Sequence, residues 1–173
     1  MRRLKSCVTV IGALMLACSP ALDWREVRPA GSGIAALFPC QPISQTRGAA
    51  LAGLRVPMTL LSCEASDVTF ALSHAELGDP SQVTAALIEL RSALGANLGA
   101  GEVRSVALDV AGMTPNPQAV RVFLAGRMPD GAPTKAQAAL FVRGTRVYQA
   151  VVLGARLDDG AVNVFFESLR LPS

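Results

Sequence analysis

Residues 79–101 carry one long apolar pattern at helical spacing, and the segments on either side carry strand patterns instead. Val83, Leu87, Leu90, Leu94 and Leu98 recur with a period near that of an α-helix and fall on one stripe, with Glu89 and Arg91 on the outer face. Asp79-Pro80 supplies a capping acceptor and then a residue whose missing N–H is harmless in a first turn. Gly99 and Gly101 end the pattern, as glycines do at helix C-termini.

Around this helix the chain reads as a series of strands. Residues 24–27 form a first strand or a lead-in, and residues 34–38, stopped by Pro39, a short buried strand. Residues 41–50 read as a polar, Gly-containing connection. Residues 54–64 alternate, with Val56, Met58 and Leu60 facing one way and Arg55 and Thr59 the other. Pro57 inside that run points to an edge or a bulge, because proline cannot donate to a ladder. Residues 68–77 alternate more cleanly, with Val68, Phe70 and Leu72 on the core face, and the short polar link between these two runs makes them a hairpin. After the helix come strands at 103–110, 118–126, 134–143 and 146–155. Turn residues at Pro129-Asp130-Gly131 and Arg143-Gly144-Thr145-Arg146 make the last three a meander. Asp158 and Asp159 cap a short closing helix whose Val162, Phe165, Phe166 and Leu169 share one stripe. The order predicts an α+β fold: an antiparallel sheet of about six to seven strands covered by one long and one short helix.

The first residues carry a different message. Arg2, Arg3 and Lys5 precede an uncharged stretch, residues 7–17. That stretch is about half of the ~20 residues a spanning helix needs, so it reads as a cleaved secretory signal. Met15-Leu16-Ala17-Cys18 resembles the bacterial lipobox, in which a small residue precedes a cysteine that is diacylated and becomes the mature N-terminus; Met15 stands where leucine is usual. The alternative is ordinary cleavage after Ala21, in Ser19-Pro20-Ala21. On the first reading residues 1–17 are a lipoprotein signal peptide, Cys18 is the site of lipid attachment, residues 18–23 are a tether and residues 24–173 form one domain. Several acyl chains on one residue anchor firmly where one would not, each buried CH₂ contributing ~0.8 kcal/mol. The domain then faces the periplasm of a bacterial envelope. Ser19 after the cysteine, in place of aspartate, favours the outer membrane over the inner.

Processing also settles the charge. The chain has 16 Lys+Arg against 13 Asp+Glu, and the surplus is Arg2, Arg3 and Lys5. The mature domain is neutral on paper, with no basic run and no aromatic–basic interleaving, which disfavours nucleic acid as a partner. With 51% apolar and 17% charged residues, disorder is excluded by composition. Of four cysteines, Cys7 leaves with the leader and Cys18 is spent on lipid. Cys40 and Cys63 remain as a pair in an oxidising compartment and are expected to form a disulfide, the alternative being two buried thiols. Had residues 34–38 paired with 54–64 as a plain hairpin, Cys63 would lie ~30 Å from Cys40 at strand rise, beyond the reach of a disulfide. The connection 41–53 is therefore expected not to reverse the chain simply.

Chemistry-bearing motifs are sparse. His74, the single histidine, follows Phe70 and Leu72 on one strand face, and no nucleophile motif joins it, so it reads as structural or as a surface residue. Gly31-Ser32-Gly33-Ile34-Ala35-Ala36 matches a G-x-G-x-x-A fingerprint in letters, but Pro39 ends the run before the required helix can form. Two thiols and one histidine cannot complete a closed zinc site, and Asp158-Asp159 lack the further oxygens that calcium needs. No cofactor, metal or catalytic residue is expected. Arg121, between Val120 and Val122, reads as the solvent side of a strand.

Four segments together resemble a family. Gly33-Ile34-Ala35-Ala36-Leu37-Phe38-Pro39 followed by Pro42 resembles the "F-x-V-x-F-P-G-x-P" opening of small bacterial domains with the PsbP-like fold. Residues 79–99, ending in Ala96-Asn97-Leu98-Gly99, look like their central helix. Phe141-Val142-Arg143-Gly144-Thr145-Arg146-Val147-Tyr148-Gln149 looks like their "F-x-x-G-x-R-x-Y-Q" hairpin, and Phe165-Phe166-Glu167-Ser168-Leu169-Arg170-Leu171 resembles their closing "F-x-x-S-F-x-L". Cys40 stands where that opening usually has glycine, and Cys63 has no place in the pattern. The resemblance implies an antiparallel sheet sandwiched by helices in a lipoprotein that is not an enzyme. It would meet the membrane through its acyl chains and an unknown envelope protein through its domain, as an accessory or assembly factor. The alternative expectation is a binding module for a small apolar ligand held between the sheet and a helix.

Overall fold

The computed structural model describes residues 22–128 and 130–172. Two short strands, β1 (Arg25–Val27) and β2 (Ala36–Phe38), pair with each other apart from the main sheet. The main sheet holds β3 (Ile43–Leu51), β4 (Leu54–Ala65), β5 (Val68–Glu76), then, after helix α1 (Val83–Asn97), β6 (Gly101–Ala107), β7 (Val120–Arg127), β8 (Pro133–Arg143) and β9 (Arg146–Gly154); α2 (Asp159–Glu167) closes the domain. Its order is β3-β4-β5-β9-β8-β7-β6 and every pairing is antiparallel. Two meanders meet where β5 pairs with β9, Leu72 opposite Ala150, and α1 carries the chain from one to the other. The α+β architecture, the long and short helices and the closing meander are as the patterning predicts.

Both helices begin as their sequences dictate. The Asp79 carboxylate accepts from the Ser81 N–H at 2.8 Å and holds a 3₁₀ turn, Pro80–Gln82, from which α1 continues. The Asp158 carboxylate accepts from the Ala161 N–H at 2.8 Å, with Asp159 in the first turn of α2. Val83, Ala86, Leu87 and Leu90 of α1 pack on Val122, Leu140, Val142 and Val147 on one face of the sheet. Val162, Phe165 and Phe166 of α2, with Phe38 of β2, pack on Phe70, Leu72, Phe141 and Val152 on the other. Successive side chains of β8 enter opposite cores, Leu140 one and Phe141 the other, so the strand is apolar without a break from Ala138 to Val142.

Three local expectations are corrected. Residues 41–50 are not a connection: they form most of β3, laddered from Ile43 opposite Ser62 to Leu51 opposite Leu54. As an edge strand that meets α1 only at its Leu51 end, β3 leaves most side chains exposed, so it has little buried face to announce it. The chain reverses within 41–53, at Ala52 and Gly53, which both take positive φ. Because β2 pairs with β1 and not with β4, this reversal is compatible with the disulfide. The edge that Pro57 implies is present locally: it sits opposite Gly48 just past the β4–β5 ladder, where β4 has β3 alone for a neighbour. The strand expected at 103–110 starts earlier, at Gly101, bulges between Glu102 and Arg104, and ends at Ala107.

Candidate functional site

Cys40 and Cys63 are bonded, with Cα atoms 6.0 Å apart. The bond ties the residue leading into β3 to the partner strand β4, and so staples the open end of the hairpin opposite its turn. Cys18 and both cleavage positions lie outside the described residues. Among the described residues no helix is long and apolar enough to cross a membrane.

His74 stands on β5 directly opposite Tyr148 of β9, the ring centroids 6.4 Å apart. Its Nε2 is buried without a hydrogen-bond partner. Burial first, and the Arg146 guanidinium second, hold the imidazole below its ordinary pKa. The Tyr148 hydroxyl donates to the Ser32 carbonyl at 2.6 Å, and the Ser32 hydroxyl donates to the Pro29 carbonyl at 2.6 Å. These bonds pin the Gly31–Gly33 turn onto the sheet. The turn feeds a strand, not a helix, so the glycine fingerprint presents no helix N-terminus to a pyrophosphate. His74 thus packs beside Tyr148, and among the described residues no cluster of three or more His, Cys, Asp or Glu could hold a metal ion.

Arg121 departs from expectation. It is half-buried on the α2 side of the sheet, its guanidinium 4.2 Å from the Phe166 ring centroid and 5.5 Å from that of Phe123. Its Nε and Nη2 donate to Gln137 Oε1 at 3.1 and 2.6 Å. The alternation was read correctly, but α2 spans that face, so the side chain lies under a helix instead of in water. Burial lowers its pKa, with the Glu167 carboxylate acting against that shift. Arg104, from the bulged edge strand β6, stacks on Phe123 at 3.9 Å. Here α2 no longer covers the sheet. Phe123, Lys135, Gln137, Leu157 and Asp159 line an open depression of about 380 Å³. Val103 beside it is 71% exposed and Val106 40%.

A second concavity lies at the same, N-terminal end of α2 but on the β5 side, and shares Leu157 with the first. It holds about 380 Å³ and its walls are mainly apolar: Val68 and Phe70 of β5, Ala161 and Val162 of α2, Leu157 before that helix, and Leu22 at the N-terminal end of the described chain. Ser66, Arg156 and Asp158 supply polar groups to its lining. Trp24 meets Phe70 edge-on behind it, ring centroids 6.2 Å apart. An apolar site between the sheet and a helix is the alternative expectation above, but the residues of neither concavity could be named from the sequence, because each joins residues from separate elements. The nearest local signal was the pairing of a strand arginine with a phenylalanine two positions on, Arg121 and Phe123.

No family model matches the chain and no curated protein is similar to it in sequence. Among solved structures it is similar to the solution structure of cyanobacterial PsbP from Synechocystis sp. PCC 6803, at 13% identity and a TM-score of 0.53, over 98% of this chain and 99% of that one. At that identity the likeness defines a fold. The domain is an α+β sandwich of the PsbP-like class, the class that the four sequence segments resemble.

Proposed function

We propose that this chain is a non-catalytic envelope lipoprotein, acylated at Cys18 and facing the periplasm, which works by contact with another envelope protein. The observation that carries the contact reading is the uncovered end of the sheet, where Arg104 and Arg121 flank Phe123 and Val103 and Val106 stand in solvent. Arginine stacked on an aromatic, with apolar side chains around it, is the composition of interface cores. Likeness in fold to cyanobacterial PsbP agrees with an accessory role and carries no partner over. A photo-crosslinking residue at Val103 is expected to give a discrete adduct in intact cells that a residue at Ser81 does not give and that Arg104→Glu removes. Identical patterns at both positions would refute this face as the contact.

A second reading is favoured by the apolar concavity beside Leu22. Its volume falls within the ~300–1,000 Å³ of small-molecule sites, and it lies between the sheet and a helix. On that reading the domain binds a small apolar ligand.

A further inference from the structure

We propose that the concavity beside Leu22 takes the hydrocarbon chain of a free fatty acid and that Arg156 receives its carboxylate, an inference that rests on the apolar-ligand reading. The walls come from β5, α2 and the segment before α2, and they are aliphatic or aromatic except at Ser66, Arg156 and Asp158. About 380 Å³ is the small end of the range for ligand sites, enough for a single chain and not for the two of a phospholipid. A wall of this kind rewards apolar surface in proportion to the area removed from water and offers no specificity by itself. The charge supplies that. Arg156 is exposed, and among the described residues no carboxylate lies within ion-pair distance of it. Asp158, the other charge on the lining, has its Oδ1 engaged by the Ala161 N–H. Arg156 without an ion-pair partner, beside an apolar slot whose one carboxylate is turned to the start of α2, matches an amphiphile with a single chain and a single negative charge. Location agrees: Leu22 is four residues from Cys18, and an extended tether of that length spans at most ~14 Å. A domain acylated at Cys18 keeps this opening near the bilayer, where free fatty acids partition.

Trp24 is the single tryptophan of the chain and touches Phe70, a wall residue, so it reports on the slot without a label. The mature full-length chain carrying Cys18→Ser is titrated with dibromostearate, whose bromines quench indole fluorescence on contact. Saturable quenching at one equivalent is expected, weakened more than tenfold by Ala161→Phe, which fills the slot. Arg156→Gln, at an exposed position that does not test packing, is expected to weaken the acid about two- to fivefold, the size of an exposed ion pair, and to leave the methyl ester unchanged. Equal effects on acid and ester overturn the assignment of the carboxylate. If the acid fails to bind while neutral N-phenyl-1-naphthylamine binds and Ala161→Phe blocks it, the fatty-acid assignment falls and the apolar-ligand reading stands; if neither binds, both fall. If the acylated protein in nanodiscs refuses the probe that Cys18→Ser accepts, the occupant is the chain's own acyl group and the proposal is overturned.

Discussion

Removing the disulfide by Cys40→Ala together with Cys63→Ala is expected to destabilise the domain by about 3 kcal/mol. The bridge closes a sequence separation of 23 residues, and loop closure of that length removes about that much conformational freedom from the unfolded chain. For a domain of this size the loss corresponds to a fall in Tm of roughly 6–12 °C. Little of it should come from lost native contacts, because both cysteines are only half-buried and the bond lies at the open end of the edge hairpin, away from the Leu51 end that packs against α1. Three consequences follow in urea denaturation of the mature domain. The variant's midpoint drops, its m-value rises because the freed unfolded chain exposes more surface, and wild type with reductant superimposes on the variant. Hydrogen exchange should quicken more in β3 than in β8, whose side chains are buried on both faces. A loss below about 1 kcal/mol, or a reduced wild type that keeps the stability the variant lacks, would refute the cross-link argument.

Other substitutions probe other parts of the account. Leu90→Ala should cost about 2–5 kcal/mol by chemical denaturation, since Leu90 is buried against the sheet, and a shift under about 1 would mean that face is not core. Gly112 holds φ +84°, and a Cβ there would sit 2.2 Å from the Leu171 carbonyl oxygen. Gly112→Ala is therefore expected to cost more than about 1 kcal/mol and to speed exchange around the Ala111–Arg170 bridge. Arg121→Ala should cost about 1–2 kcal/mol in thermal or urea unfolding, by removing the guanidinium from Phe166 and from Gln137. His74 titrates lower in the fold than in the unfolded chain, so the unfolded state takes up its proton first as pH falls. Its contribution is present above about pH 6.5, the ordinary histidine value, and is lost on acidification below it. His74→Gln should flatten that part of the stability–pH curve, and an unchanged slope would contradict the burial of Nε2.

The readable parts of the fold were those in which one side chain pattern meets one covered face. The α1 stripe, the caps at Asp79 and Asp158 and the Val68-Phe70-Leu72 alternation are of this kind, because burial forces the periodicity. Strand β3 was unreadable for the opposite reason: with both faces largely in water, Gln45, Thr46 and Arg47 cost nothing there, and only ladder hydrogen bonds define the strand. The cysteine pair was legible from compartment and number, yet its geometry depended on a hairpin that contained the unseen strand. Arg121 shows a further limit. Period-2 spacing assigns a side chain to a face, but whether a helix lies over that face is decided by α2, more than thirty residues later. Both concavities beside α2 share this origin, since Leu22, Phe70 and Ala161 are brought together by topology alone.

The intact mass of the protein purified from envelope membranes without reductant bears most directly on the whole account. It should correspond to a chain beginning at Cys18, heavier by the acyl groups on that residue and lighter by the thiol hydrogens of Cys40 and Cys63. A mass matching the complete chain with reduced thiols, or an unmodified chain cut after Ala21, would contradict it.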